Sequence, residues 1–227
     1  MSKFLDDLYK EKWTAGLHCA KSVKKYGKKQ GSPIYGEFTR GGANQLIKHM
    51  TELNIIDKDK HFYDIGSGTG KLALHIAKDT GCFVTGIEMV EERHDLAMEK
   101  YNKYKDKESA LDKVSFINDK FQNVNLTDAD VVYIDNTISS DNVVVDLISG
   151  LNKGCVIILK SFFNIDNFNK TKKFKATGAN TEYTIMDSLY TGDGVTSYFL
   201  QHNGYRAYFQ SSAWNYCKQG YVYLYTV

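Results

Sequence analysis

HFYDIGSGTG, residues 61–70, is the stretch on which the reading of this chain turns. The run from His61 to Ile65 predicts a short buried strand, the glycines at 66, 68 and 70 a sharp turn, and the amphipathic run at 71–79 a helix. Glycines there let the backbone bend and approach a ligand closely, where a Cβ would clash. Asp64 stands at the carboxyl end of the strand, beside the turn. A phosphate loop would place Ser or Thr after the lysine that follows the last glycine. Lys71 is followed instead by Leu72, so that match is poor. A carboxylate at the mouth of the turn suits a cationic group, such as the ammonium of an amino acid.

The chain around this stretch has 227 residues, 42 % apolar and 25 % charged, with a single proline. That is one full-sized domain, or one with an appended piece, and it is long enough to bury a sizeable core. A net charge of +2 is too small to imply nucleic-acid binding, although the lysines are clustered. Cys19, Cys82, Cys155 and Cys217 stand far apart without a CxxC pair or a nearby histidine. This speaks against a metal site or a disulfide framework and for buried thiols in a reducing compartment. No run of about 18 apolar residues exists, so no membrane span is expected. The N-terminus lacks the apolar centre of a signal peptide, and an intracellular protein is expected.

Outward from the turn, residues 82–87 read as a second strand ending at Glu88, and 113–117 as a third ending at Asn118 and Asp119. Residues 131–134 read as a fourth strand, followed by Asp135 and Asn136, and 155–159 as a fifth, with helices at 91–104 and 143–151. A lysine-bearing loop at 164–180 precedes an edge hairpin of strands at 205–210 and 221–226. Upstream, a pair of short helices is expected within 4–29, a lysine run at 21–29, an irregular loop from Gly31, and a helix at 45–53. Strands and helices alternate and a hairpin closes the chain, which implies an α/β fold with a mainly parallel sheet.

Ligands of open α/β sheets bind outside the carboxyl ends of the strands. Asp64, Glu88, Asp119 and the pair Asp135 and Asn136 all fall there. Glu88 lies 18 residues beyond Gly70, near the spacing of roughly 20 at which an acid meets ribose hydroxyls in a Rossmann-type unit. The set fits S-adenosylmethionine, with Asp64 near the methionyl ammonium, Glu88 on the ribose and Asp119 on the adenine amino group. Nicotinamide fits less well, because it needs a hydride acceptor site and usually lacks the third carboxylate. Plainer roles exist for each: turn caps for Asp64 and Glu88, a solvated loop acid for Asp119, turn formers for Asp135 and Asn136. Trp214 and Tyr221 suit core packing equally well.

YGEF at 35–38, DIGSGTGKLALHIA at 64–77, GIE at 86–88, NDKF at 118–121, YIDN at 133–136, LKSF at 159–162 and the W-x6-Y of Trp214 and Tyr221 come in a telling order. Their order resembles that of the disruptor-of-telomeric-silencing (DOT-type) histone lysine methyltransferases. The resemblance covers residues 31–227 and is most specific in the YGE loop and the closing W-x6-Y. It implies a class I seven-stranded, Rossmann-like S-adenosylmethionine-dependent methyltransferase domain at 31–227, behind a short helical N-terminal extension at 1–30. The reaction implied is methylation of a protein lysine, with a histone or nucleosome as partner and the nucleus as location in that case, otherwise the cytoplasm.

The turn residues Gly66, Ser67, Gly68 and Gly70 join Asp64, Glu88 and Asp119 as cofactor-binding candidates, and the resemblance adds Tyr35, Gly36 and Glu37 as a clamp. It also implies a lysine channel from Tyr133, Phe162 and Trp214, and places Asp135, Asn136 and Tyr221 at the chemistry. The chain departs from the family at Lys71, Phe38, Lys120 and Asp135, where Gln, Thr, Phe and Asn are usual. Nucleic-acid contact through the lysine clusters is a further expectation. Two alternatives stand beside this reading: a methyltransferase of the same fold for RNA or another protein side chain, and a catalytically silent cofactor-binding module. The lack of an NPPY-type sequence after the fourth strand argues against adenine or glutamine amide as target.

Overall fold

The computed structural model describes residues 2–11, 14–17, 37–135, 141–160, 198–199 and 223–226. Five strands, β1 (His61–Ile65), β2 (Phe83–Ile87), β3 (Val114–Ile117), β4 (Val131–Ile134) and β5 (Val156–Leu159), pair in parallel. Two more, β6 (Tyr198–Phe199) and β7 (Tyr223–Thr226), complete one sheet in the order β3-β2-β1-β4-β5-β7-β6. β7 runs antiparallel to β5, and β6 antiparallel to β7. This is the seven-stranded, Rossmann-like α/β arrangement that the sequence predicts. The strand order reverses between β1 and β4, and such switch points are where open α/β sheets bind ligands.

The central strands are short and apolar at nearly every position because both of their faces are covered. VVYI of β4 and VIIL of β5 are buried throughout. On one face, Phe62, Val84, Tyr133 and Ile158 meet helices α1 (Lys3–Lys10), α3 (Arg40–Glu52) and α4 (Lys71–Thr80). On the other, Tyr63, Val132 and Ile157 meet Val144, Leu147 and Ile148 of α6 (Asp141–Ser149). Between these helices in sequence lie α2 (Thr14–Leu17) and α5 (Glu91–Tyr104).

Helix α4 is buried from Lys71 to Ala77 and stops at Gly81, whose φ of 68° and N–H bond to the Ala77 carbonyl close it. Helix α1 buries Phe4, Leu5 and Leu8 in the main core, with Phe4 edge-on to Tyr104 at 4.9 Å. Helix α3 begins at Arg40 rather than at 45, since the Thr39 hydroxyl caps the amide of Gly42 and draws a glycine pair into the first turn. The strand expected at 205–210 lies outside the described residues; the partner seen for β7 is β6. Cys82 and Cys155 are buried free thiols, and burial pushes Cys155 up to about 12. Among the described residues no helix is long and apolar enough to cross a membrane.

The Phe116 ring of β3 packs into space that two glycines leave open. A Cβ on Gly86 would lie 2.6 Å from Phe116 Cδ1 and 2.9 Å from Ser67 Oγ, and one on Gly70 would lie 2.8 Å from Phe116 Cζ. The turn after β1 is thereby seated against β2 and β3. Gly86→Ala is expected to cost about 1–3 kcal/mol of stability by overpacking. Urea unfolding would show this as a lower midpoint with an unchanged slope, and the penalty should shrink in a Phe116→Leu background.

Candidate functional site

The turn that leaves β1 is bound to the end of β2. The amides of Gly66 and Ser67 both donate to the Ile87 carbonyl, at 2.8 and 3.0 Å, and the amide of Gly68 donates to Glu88 Oε2 at 2.9 Å. Gly70, at φ 77°, then starts α4, a conformation that a side chain would strain. Asp64 pairs in register with Gly86 on one side and Tyr133 on the other. Strand alternation therefore sets Asp64, Gly86 and Tyr133 on the face that carries α3 and α4.

Asp64 is 2 % exposed, and its Oδ2 has no hydrogen-bond partner among the described residues. Burial, with the Glu88 charge adding to it, pushes its carboxyl up to about 7 against a single opposing backbone bond from Ala73. Glu88 is almost as deeply buried, and burial raises it too. Its surroundings answer it better, however. Oε1 accepts the Val90 amide at 2.8 Å, Oε2 the Gly68 amide, and the Arg93 guanidinium offsets the charge. The Ser67 hydroxyl is likewise buried without a partner among the described residues. A buried carboxylate with an idle oxygen, beside an idle hydroxyl, is a donor set for a ligand carrying a cation and polar groups. The residues present therefore fit an amino-acid ammonium.

Glu37 sits above the turn. Its Oε1 takes the Thr69 hydroxyl at 2.8 Å and its Oε2 the Lys71 ammonium at 2.7 Å. The next residue, Phe38, meets Tyr133 edge-on at 5.3 Å, so one short segment touches both the turn and β4. The sequence presents Lys71 as a poor phosphate-loop lysine and as a departure from the family's Gln, and nothing in the spacing joins it to a glutamate 34 positions upstream. Arg93 was missed as well; its Nε donates to the Gly16 carbonyl at 3.0 Å and draws α2 behind the site. His75, fully buried, has Nδ1 2.9 Å from the Tyr9 hydroxyl and Nε2 3.1 Å from Asp79 Oδ2. Burial pushes that imidazole below its ordinary value, against the opposing charge of Asp79.

Asp119 lies at the exposed end of β3, where Oδ1 caps the Lys120 amide and the Asn123 side chain, both at 2.7 Å. Tyr133 is a core residue at 6 % exposure, and Asp135 is half-buried just past β4. Tyr35, Gly36, Asn136, Phe162, Trp214 and Tyr221 lie outside the described residues.

A family model described as "Histone methylation protein DOT1" matches residues 16–202. A Candida glabrata protein named "Histone-lysine N-methyltransferase, H3 lysine-79 specific" is 23 % identical over 214 residues, covering 88 % of this chain and 30 % of that protein. A Dictyostelium discoideum protein of the same name is 28 % identical over 99 residues, 44 % of this chain and 5 % of that one. The chain thus spans less than a third of the length of either relative. Among solved structures, it resembles a Thiobacillus denitrificans SAM-dependent methyltransferase in complex with S-adenosyl-L-homocysteine, with TM-score 0.48 and 15 % identity, covering 74 % of this chain and 72 % of that one.

The buried Asp64 gives a pH signature. Its carboxyl titrates near 3.8 when unfolded and near 7 when folded, so the folded chain keeps a proton that the unfolded chain releases in between. Stability therefore falls as pH rises through that window, and the group has no effect below it. Asp64→Asn should gain on the wild type above neutral pH by up to about 4 kcal/mol, at ~1.4 kcal/mol per pH unit of displacement. Urea unfolding from acid to alkaline pH should show the gain vanishing toward the acid end; a difference independent of pH would contradict it.

Proposed function

The chain belongs to the family of the histone methylation protein DOT1, and from that premise we propose that it is an S-adenosylmethionine-dependent methyltransferase acting on a lysine of histone H3. One observation carries the reading: within the stretch matched by the family, the glycine turn holds a buried carboxylate that lacks its cation. Bound there, the cofactor would supply an electrophilic methyl group on a sulfonium.

Asp64 would take the methionyl ammonium. Glu88 keeps lone pairs beyond those given to two backbone amides, so the ribose hydroxyls fall to it. Asp119, with Oδ1 spent on its own loop, would offer Oδ2 to the adenine amino group. Gly66, Ser67, Gly68 and Gly70 shape the floor, while Tyr35, Gly36 and Glu37 form the clamp over it.

A lysine near pKa 10.4 must lose a proton before it can act as a nucleophile. Enclosure by apolar walls favours the neutral amine, and we assign those walls to Tyr133, Phe162, Trp214 and Tyr221. Asp135 follows Tyr133 by two positions and so continues its side of β4. Its carboxylate would orient the amine and accept the departing proton, with Asn136 and Tyr221 completing the group. Nuclear location follows from a histone substrate, and the lysine runs at 21–29 and 170–175 would meet nucleosomal phosphates.

Transfer of labelled methyl to nucleosomes, free histone octamer and total RNA in parallel tests the reading. Label on a lysine of H3, located by mass spectrometry, is the expected result. Label on RNA alone, or tight cofactor binding with no transfer to any of the three, would overturn it. Asp135→Asn should lower kcat by about 100-fold or more, as for a lost general base, and should flatten the acid limb of the pH profile. Full turnover with an unchanged profile would remove Asp135 from the proton's path.

A further inference from the structure

We propose that Lys71 is a positioning residue for the cofactor: its ammonium pins the Glu37 loop and the end of α1 onto the glycine turn, closing the site from above. The inference rests on the cofactor reading given above. Lys71 Nζ donates to Glu37 Oε2 at 2.7 Å and to the Glu11 carbonyl at 2.8 Å, and the two paired side chains are only 5 % and 10 % exposed. One ammonium therefore joins three chain segments that are far apart in sequence.

Both oxygens of Glu37 are used on this turn, one by Thr69 and one by Lys71, the residues on either side of Gly70. Such a two-point grip fixes the height and direction of the loop as well as its proximity. Phe38, the next residue, is then held edge-on to Tyr133. The end of α1 is secured around the same point: the Glu11 carboxylate lies 2.7 Å from the Lys100 ammonium, Tyr9 reaches His75, and Asp6 pairs with Arg40 at the start of α3.

A buried ion pair is not the most stable way to fill such a space, since well-packed apolar residues of similar size often do as well or better. What the pair adds is placement. Lys71 is the third residue after Gly68, whose amide holds Glu88, and it lies within the helix whose Ala73 amide holds Asp64. A loop anchored at Lys71 is thus registered to the same backbone that holds both acids. Loss of the ammonium removes the bond at Glu37 Oε2 and with it one of the two points that grip the loop.

The test is binding of S-adenosyl-L-homocysteine by calorimetry, with hydrogen exchange of the amides at 37–43 in the ligand-free protein as a second readout. Lys71→Met keeps the aliphatic stem and removes the charge; it should weaken binding at least tenfold and speed exchange of those amides. Lys71→Arg can still bridge a carboxylate and a carbonyl, and should retain affinity within about threefold by the fork geometry of its donors. Glu37→Gln should weaken binding as Lys71→Met does, and the double variant should be no worse than the weaker single, as residues acting as one unit behave. If Lys71→Met unfolds the chain, Glu37→Gln decides alone. Binding within twofold of wild type by the decisive variant, with exchange at 37–43 unaltered, overturns the positioning role and leaves the cofactor reading intact. A wild type that binds neither S-adenosylmethionine nor S-adenosyl-L-homocysteine overturns both.

Discussion

Two carboxylates buried at the ends of neighbouring parallel strands repel one another and lose their hydration, a cost the fold must meet with hydrogen bonds, cations or protons. Asp64 and Glu88 are placed in this way by the register of β1 against β2, and they meet the cost differently. Glu88 is answered from the protein itself by two amides and a guanidinium. Asp64 has one backbone donor and an idle oxygen, and so sits near neutrality in its proton affinity. Much of the surrounding architecture follows. The turn bends so that the Gly68 amide reaches Glu88 while those of Gly66 and Ser67 reach the Ile87 carbonyl, and Gly86 must lack a Cβ for Phe116 and Ser67 to close over it.

The second layer is built from the N-terminal part of the chain. Helix α1 belongs to the same hydrophobic cluster as the sheet, through Phe4, Leu5 and Leu8. Its polar contacts differ in weight. The exposed pair of Lys10 with Asp7 contributes little, because solvent screens it. The contacts that matter for the site are buried ones: Tyr9 on His75, and the Glu11 carbonyl on Lys71. They tie α1 to α4, which begins at the glycine turn, so displacement of α1 acts on the turn directly.

The sheet was legible because its central strands are short apolar runs bounded by acids and glycines, and because helical runs between them leave room only for parallel pairing. The acids at 64 and 88 could be placed at one end of the sheet by counting alone. Elsewhere side-chain contacts that follow no period decided the outcome. Gly41 and Gly42 read as loop, yet the Thr39 cap brings them into α3. Asp119, expected as a ligand acid, spends Oδ1 on its own loop, a contact no spacing announces. Lys71 read as a failed phosphate motif and a departure from the family's Gln, because its partners Glu37 and Glu11 are brought near by the fold and not by the sequence. Pattern reading finds residues that repeat with the period of an element; a cross-segment ion pair has no period.

The balance of charge in the buried layer explains why a cationic ligand suits this turn. Glu37, Asp64 and Glu88 supply three carboxylates, against which stand Lys71 and Arg93. Lys71 is committed to Glu37, and Arg93 lies among the groups that act on Glu88. One carboxylate is left over, and it is the one with the unpartnered oxygen. At neutral pH that group can be satisfied by a proton or by a ligand's ammonium, and the two compete. Coulomb attraction in a poorly solvated site is several times stronger than in water, so an ammonium that also finds the Ser67 hydroxyl can displace the proton. A neutral ligand of the same shape gains no such exchange and must leave the proton in place. On the proposed reading the turn would therefore favour a charged ligand over a neutral one of the same shape.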